Sequence, residues 1–161
     1  MTHPTLIDDE ALLRHAIALS AQARRNGDMP FGALLAGPDG EVLVEATNRG
    51  TSDNDATAHA ERLVATEASR RFDAAFLAKC TLVTSAEPCA MCAGAAYWAG
   101  IGRLVYGLSE RALRALTGDH ADNPTLDLPC RTVVAAGQRP VEVLGPMLED
   151  EARAVHQGMW G

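Results

Sequence analysis

Aromatic side chains and lysine are scarce in this sequence. Only 4% of its residues are aromatic, and Lys79 is its single lysine among 14 basic residues. Because 21 acidic residues outnumber the basic ones, the formal net charge is −7. Proteins that bind a phosphate backbone use clustered Lys and Arg to displace counterions. The charge balance therefore disfavours a general nucleic-acid-binding surface.

Long apolar segments are missing as well. A membrane helix needs about 18 or more apolar residues, and the best candidate, 86–101, contains Glu87, two cysteines and two glycines. The N-terminus has no basic segment followed by an apolar one, which predicts no signal peptide, no membrane segment and a cytoplasmic protein. In such a chain, a Cys-x-x-Cys pair indicates metal or redox chemistry rather than a disulfide framework.

The composition, with 47% hydrophobic and 22% charged residues over 161 positions, predicts one globular domain. Helical spacing of apolar residues predicts helices over 8–26, 57–71, 88–99, 109–116 and 147–157. Short apolar runs predict strands over 31–36, 41–46, 80–85 and 103–107. Residues 131–136 and 141–144 fit two strands, or one strand and an extended arm, after an irregular loop over 117–130. A hairpin followed by strand–helix–strand crossovers predicts a mixed sheet with helices on its faces.

Two short motifs carry chemistry, His59-x-Glu61 and Pro88-Cys89-x-x-Cys92. Cys89 and Cys92 are three positions apart in the first turns of a predicted helix that has Pro88 at its first position. Their sulfurs share a face, and the positive helix end favours thiolates. With His59 as a third ligand they fit zinc, and three protein ligands leave the fourth position open to water, as in catalytic sites.

Glu61 is the expected proton carrier. In the middle of a helix, a residue two positions after His59 would point about 200° away from it. At a helix start, both side chains can lean past the helix end. Glu61 can then accept a proton from zinc-activated water and deliver it to the substrate nitrogen. The alternative is an ordinary acid that is favoured at a helix N-terminus.

His-x-Glu followed by Pro-Cys-x-x-Cys is the signature of zinc nucleobase deaminases. With its flanking residues, the sequence resembles the cytidine-deaminase-like superfamily, in the branch that includes guanine deaminases, tRNA adenosine deaminases and fungal cytosine deaminase; the matching segments are 30–33, Asn48, 55–61 and 85–95. The resemblance implies one α/β domain over 1–161, a three-layer α/β/α sandwich around a five-stranded mixed sheet. It also implies His59, Cys89 and Cys92 as zinc ligands, zinc-bound hydroxide as the nucleophile, and Glu61 as the proton shuttle.

The resemblance also implies how a small nucleobase is held. We expect the Asn48 side chain, the Ala60 N–H and the Glu87 carbonyl to bind the base, and Phe31 to wall the pocket. Guanine, converted to xanthine and ammonia, is the favoured substrate because Tyr97-Trp98-Ala99 resembles a guanine deaminase segment and residues 147–161 are acidic. Asp119 and Asp122 lie about where guanine deaminases place a pocket carboxylate, and Trp160 is the candidate to close the pocket.

Several alternatives remain open at this point. The enzyme could act on a tRNA adenosine, on cytosine, a nucleoside or an aminotriazine, or the chain could be a non-catalytic zinc module. Asn48 could be a turn residue before Gly50, and Cys80 and Cys130 are expected to be buried thiols. Surface or capping roles are expected for His3, His15, His120 and His156, a core role for Tyr97 and Trp98. The family resemblance implies a homodimer, with 117–161 as the segment expected to pack or exchange between subunits.

Overall fold

The structure, a computed structural model, describes residues 7–160. His3 and the rest of residues 1–6, on which the signal-peptide expectation partly rests, lie outside the described residues, as does residue 161. Twelve elements follow in order: α1 Asp9–Arg25, β1 Gly32–Ala36, β2 Val42–Thr47, α2 Ala60–Arg71, α3 Ala74–Leu77, β3 Thr81–Ala86, α4 Ala90–Ala99, β4 Arg103–Leu108, α5 Glu110–Thr117, α6 Cys130–Ala135, β5 Glu142–Leu144 and α7 Glu149–Ala154.

The five strands form one mixed sheet in the order β2-β1-β3-β4-β5. β1 pairs antiparallel with β2 and with β3, whereas β3–β4 and β4–β5 are parallel. All residues of β1 and β3 are buried, as expected for central strands that are covered on both faces. The predicted five-stranded mixed sheet is confirmed.

Helices cover both faces of the sheet. On one face, Val64 and Ala68 of α2 and Ala96 of α4 pack against Leu82 and Leu104 of the sheet. The opposite face packs against α1, α5 and α7 through a second cluster that includes Leu13, Leu34, Val105, Leu113 and Ala152. This confirms the three-layer α/β/α arrangement. Among residues 7–160, no helix combines the length and the hydropathy needed to cross a bilayer.

The C-terminal third differs from the prediction. Residues 131–136 are not a strand: residues 131–135 belong to α6 and Ala136 is its C-cap. The helix begins at Cys130, where the Glu87 carboxylate accepts a hydrogen bond from the Cys130 N–H at 2.8 Å. That long-range contact outweighs the strand preference of Thr132, Val133 and Val134. Of the two segments predicted as possible strands, only the second forms one: Glu142–Leu144 pairs with β4. The last helix, Glu149–Ala154, is shorter than the predicted 147–157.

Both predicted helices that carry the chemical motifs begin later than expected. α2 starts at Ala60 rather than residue 57, and α4 starts at Ala90 rather than residue 88. Pro88 therefore precedes the N-cap residue Cys89 instead of occupying the first helical position. The prediction also lacked α3, a single turn that begins where the Asp73 carboxylate accepts from the Phe76 N–H.

The C-terminal segment packs on its own chain. One Arg24 nitrogen donates to the carbonyls of Val155 and Gln157, both at 2.7 Å. His156 is buried rather than at the surface, because its ring packs edge-on against Phe31 and accepts a hydrogen bond from the Trp160 indole at 3.0 Å. A single chain does not test exchange between subunits, so that expectation stays a prediction.

We expect the contribution of His156 to stability to be lost on acidification. Burial, with a contribution from Arg24, lowers the pKa of His156 to about 4 from an ordinary value of 6.5. Between these values the unfolded chain binds a proton that the folded chain excludes, so this contribution is complete above pH 6.5 and is lost as pH falls towards 4. The loss amounts to about 3 kcal/mol of unfolding free energy.

Urea denaturation of the wild type, His156→Gln and His15→Gln at pH 7 and pH 5 measures this effect. Relative to wild type, His156→Gln should shift the unfolding free energy at pH 5 upwards against that at pH 7, whereas His15→Gln, whose histidine is exposed, should keep the wild-type pH dependence. An unchanged pH dependence in His156→Gln would contradict the prediction.

Candidate active site

Four side chains meet at one edge of the sheet because of the strand directions. Phe31 precedes β1, while Asn48, Glu87 and Glu110 follow β2, β3 and β4 by one or two residues. β1 runs antiparallel to β2 and β3, and β4 runs parallel to β3, so the start of β1 and the ends of the other three strands share an edge. α2 and α4 also begin at this edge, which makes it the natural place for a site.

The starts of α2 and α4 bring three metal-binding side chains together. His59 and Cys89 are the N-cap residues of the two helices, and Cys92 lies in the first turn of α4. The His59 Nδ1 atom is 3.6 Å from the Cys89 sulfur and 3.5 Å from the Cys92 sulfur. All three donor atoms lie within 4.8 Å of one another, the one such cluster within residues 7–160. One imidazole and two thiols are a donor set that suits zinc.

The local environment favours a thiolate at Cys89. A hydrogen bond from Cys92 lowers the pKa of Cys89 to about 4, and His59 adds to the effect against the opposing influence of burial. The same hydrogen bond, together with burial, raises the pKa of Cys92. Elsewhere, burial raises the pKa of Cys80 to about 11 and that of Cys130 to about 12, so these remain inert thiols.

Glu61 lies beside this cluster, in the first turn of α2, and lines the same cavity as His59 and Cys89. Its side chain is 5% exposed. Burial raises the pKa of Glu61 to about 7, although His59 and Cys92 oppose the rise. A carboxyl group that titrates near neutrality can both accept and return a proton at the operating pH.

A cavity of about 380 Å³ opens in front of the cluster. That volume lies near the lower end of the roughly 300–1,000 Å³ of small-molecule pockets. Phe31 and Leu113 form apolar walls, and residues 122–126 cover the cavity. Within residues 7–160, every ionisable group that lines it is a histidine, a cysteine or an acid, without a single Lys or Arg.

Asn48 and Phe31 both line the cavity, as expected. The Asn48 Oδ1 accepts a hydrogen bond from the Gly50 N–H at 2.9 Å, as expected of a turn residue. The side-chain nitrogen of Asn48 is left to donate to a ligand. Ala60 is buried and does not line the cavity, but its N–H sits at the first helical position, where an amide has no partner within the helix. The binding roles of Asn48, Ala60 and the Glu87 carbonyl stay predictions.

Asp119 and Trp160 do not reach this cavity. α5 ends at Thr117, the chain turns at Gly118 with a φ of 53°, and Asp119 is exposed. The chain returns to the cavity at Asp122, which does line it. Trp160 donates a hydrogen bond to His156 and lines a separate groove. Trp98, expected in the core, is 85% exposed on α4.

Sequence reasoning missed the side-chain role of Glu87. Its carboxylate accepts from the Glu110 N–H at 3.0 Å and from the Cys130 N–H at 2.8 Å. These are the first residues of α5 and α6, so one buried carboxylate fixes both ends of the segment that covers the cavity. A single sequence carries no signal for a contact that spans 43 residues.

Comparison with known proteins agrees with this geometry. Residues 6–108 match the family described as the cytidine and deoxycytidylate deaminase zinc-binding region. The chain belongs to this deaminase family. The site residues fit its metal: His59, Cys89 and Cys92 can hold one zinc ion. The chain is therefore a zinc-dependent hydrolytic deaminase, and its relatives show which substrates the family includes.

Three relatives of the deaminase differ in substrate. A probable cytosine deaminase of Schizosaccharomyces pombe is 45% identical over 153 residues, covering 94% of this chain and 92% of the relative. A tRNA-specific adenosine deaminase of Haemophilus influenzae is 32% identical over 126 residues, covering 74% and 73%. The solved guanine deaminase of Nitrosomonas europaea superposes with a TM-score of 0.77 at 28% identity, covering 94% and 84%.

We expect Glu87→Ala to loosen the cover of the cavity. Each lost hydrogen bond to a carboxylate is worth about 1.5–3 kcal/mol. The amide protons of Glu110 and Cys130 should exchange with deuterium faster by tenfold or more, and residues 118–128 should follow, while the zinc content stays at one ion per chain. Hydrogen–deuterium exchange measured by NMR reads these amides directly.

Glu142→Ala is the matched control for Glu87→Ala. It removes an exposed glutamate that pairs with Arg103 at 3.4 Å, and it should leave both amides protected. Unchanged exchange at Glu110 and Cys130 in Glu87→Ala would disprove the anchoring role.

Proposed function

We propose that this deaminase acts on a free purine base, and that guanine, converted to xanthine and ammonia, is its principal substrate. The observation that carries the proposal is the small covered cavity beside Glu61, whose charged lining residues are acids. A nucleotide would bring phosphates, which need cationic or amide partners. An uncharged base rich in N–H groups suits carboxyl and amide side chains.

The chemistry divides between the metal and the chain. His59, Cys89 and Cys92 would hold a zinc ion, which would supply a Lewis acid that makes water acidic enough to attack the amino-bearing ring carbon. Glu61 takes one proton from the attacking water and passes it to the ring nitrogen, and it then takes the proton of the new hydroxyl group and passes it to the leaving amino group. The carbon–oxygen bond forms, the carbon–nitrogen bond breaks, and ammonia leaves. Asn48 orients the base by donating to its carbonyl oxygen.

A pyrimidine is the second candidate substrate, because the Schizosaccharomyces pombe relative with 45% identity is described as a probable cytosine deaminase. tRNA is disfavoured. The cavity has no cationic lining among the described residues, and the first turn of α7 carries Glu149, Asp150 and Glu151. Such a surface repels a phosphate backbone.

Ammonia release from zinc-loaded protein tests the proposal. The panel consists of guanine, guanosine, adenine, adenosine, cytosine, cytidine and ammeline, and we expect the highest kcat/KM for guanine. Glu61→Gln should keep its zinc and lose turnover by about 10²–10⁴-fold, the usual size of a proton-transfer contribution. Cys92→Ser should lose the zinc itself, and Glu67→Gln, on the exposed side of α2, should behave as wild type.

Each result separates the candidates. Faster ammonia release from cytosine than from guanine would show that the substrate is a pyrimidine and not a purine. Release only from a tRNA anticodon stem-loop would refute the free-base proposal. Full activity of Glu61→Gln would refute the role of Glu61.

We also propose a homodimer in the cytoplasm. Trp98 is 85% exposed, and Leu126 and Leu128 are 56% and 41% exposed. Contact of these apolar side chains with water is unfavourable, and a partner subunit that covers them would remove it. The four free cysteines fit a reducing compartment. Analytical ultracentrifugation should give twice the 17.0 kDa chain mass, and Trp98→Glu should shift it towards monomer. A wild-type monomer at micromolar concentration would exclude the dimer.

A further inference from the structure

Glu110 is a buried carboxyl group that the mechanism above leaves unused. Its side chain is 6% exposed, and it lines the same cavity as Glu61 and Cys89. Within residues 7–160, Thr117 Oγ1 is the one fully buried side-chain polar atom without a hydrogen bond, so the carboxyl oxygens of Glu110, which have no protein donor, open into the cavity. Its hydrogen-bond partners must therefore come from the cavity, as water or as a bound ligand.

The backbone holds Glu110 firmly in this place. Glu110 is the first residue of α5, Ser109 caps that helix by accepting from the Ala112 N–H at 3.1 Å, and the Glu110 N–H donates to Glu87. A group that contacts a ligand should be fixed before the ligand arrives, because no ordering cost then opposes binding.

The surroundings of Glu110 disfavour a negative charge on its carboxyl group. Burial, followed by repulsion from Cys89, Glu87 and Glu61, raises the pKa of Glu110 to about 8. No arginine or lysine among the described cavity residues compensates for its charge. The helix dipole stabilises an acid only modestly, and an acid at the helix start obtains this effect without entering a cavity. Burial of Glu110 inside the cavity therefore has a reason other than helix stability.

The polar groups around the cavity have a recognisable pattern. Asn48 offers an N–H donor, since its oxygen is engaged by Gly50. Glu110 and Asp122 offer oxygen acceptors. A ring with a carbonyl oxygen next to N–H and amino groups, as in a 2-amino-6-oxopurine or an amino-oxo-triazine, matches both kinds of group. Adenine, which has no carbonyl oxygen and an unprotonated ring nitrogen beside its amino group, matches less well.

We propose that Glu110 contacts the substrate and selects amino-oxo rings by accepting a hydrogen bond from their N–H groups. This assignment deepens the proposed function, on which it rests. It places substrate discrimination at the end of β4, on a different element from Glu61 and the metal ligands.

Two Glu110 variants and one control test the assignment. Glu110→Leu removes the acceptor at similar size, and Glu110→Gln keeps one acceptor oxygen. Glu67→Gln is the control on the surface of α2. Zinc content and melting temperature confirm that each protein is folded and loaded.

We expect Glu110→Leu to raise KM for guanine about tenfold or more, with a smaller change in kcat, because a buried N–H of the bound base that loses its acceptor costs about 1–3 kcal/mol, and about 1.4 kcal/mol corresponds to tenfold. Glu110→Gln should lie between Glu110→Leu and wild type. KM for adenine should change little in either variant. Calorimetric titration with 8-azaguanine in the Glu61→Gln background, where turnover is lost, should show the same order of affinities.

Equal KM values and equal 8-azaguanine affinities in wild type and both variants would overturn the assignment. If Glu110→Leu does not fold, Glu110→Gln decides alone: weaker 8-azaguanine binding supports the contact, and unchanged binding refutes it. A wild type that releases no ammonia from any base but binds 8-azaguanine in a Glu110-dependent way would refute the proposed reaction and retain the contact.

Discussion

Close packing of α2 against α4 is the constraint on which the site depends. One imidazole and two thiols can share an ion only if two helices start side by side, and these two meet through small residues. Ala60 and Ala68 of α2 and Ala96 of α4 are all buried in the same cluster. Larger side chains at these positions would separate His59 from the two sulfurs, because interiors are close-packed and adjust little. The high alanine content of the sequence thus has a local purpose.

Local patterns were sufficient to predict the metal cluster and the sheet. His59 and the two cysteines stand in short segments whose spacing alone places them at helix starts, and the hairpin followed by crossovers specifies a mixed sheet. The outcome did not depend on the precise helix boundaries. Both helices begin two or three residues later than predicted, yet His59 and Cys89 become N-cap residues, which still direct their side chains past the helix ends.

Contacts between distant segments were the part that no local pattern could supply. α6 forms because its first N–H finds Glu87, and residues 131–136 taken alone look like a strand. Asp119 and Asp122 are both acids in the same irregular segment, and the sequence does not distinguish them. In the structure the chain turns at Gly118, and Asp122 rather than Asp119 lines the cavity. In the sequence, Glu110 looks like an ordinary acid at a helix start. In the structure, the direction of β4 places it at the edge of the sheet where β2 and β3 also end.

The double hydrogen bond of Glu87 constrains how substrate choice can diverge in this fold. The segment between Glu110 and Cys130 begins and ends at a single carboxylate, so the loop that follows α5 can change in length as long as the two amides still reach the two Glu87 oxygens. A segment attached in this way at both ends can be exchanged as one unit. Grafting the whole stretch between relatives would exchange the cavity roof without disturbing the metal cluster, whereas insertions at either tether would detach it.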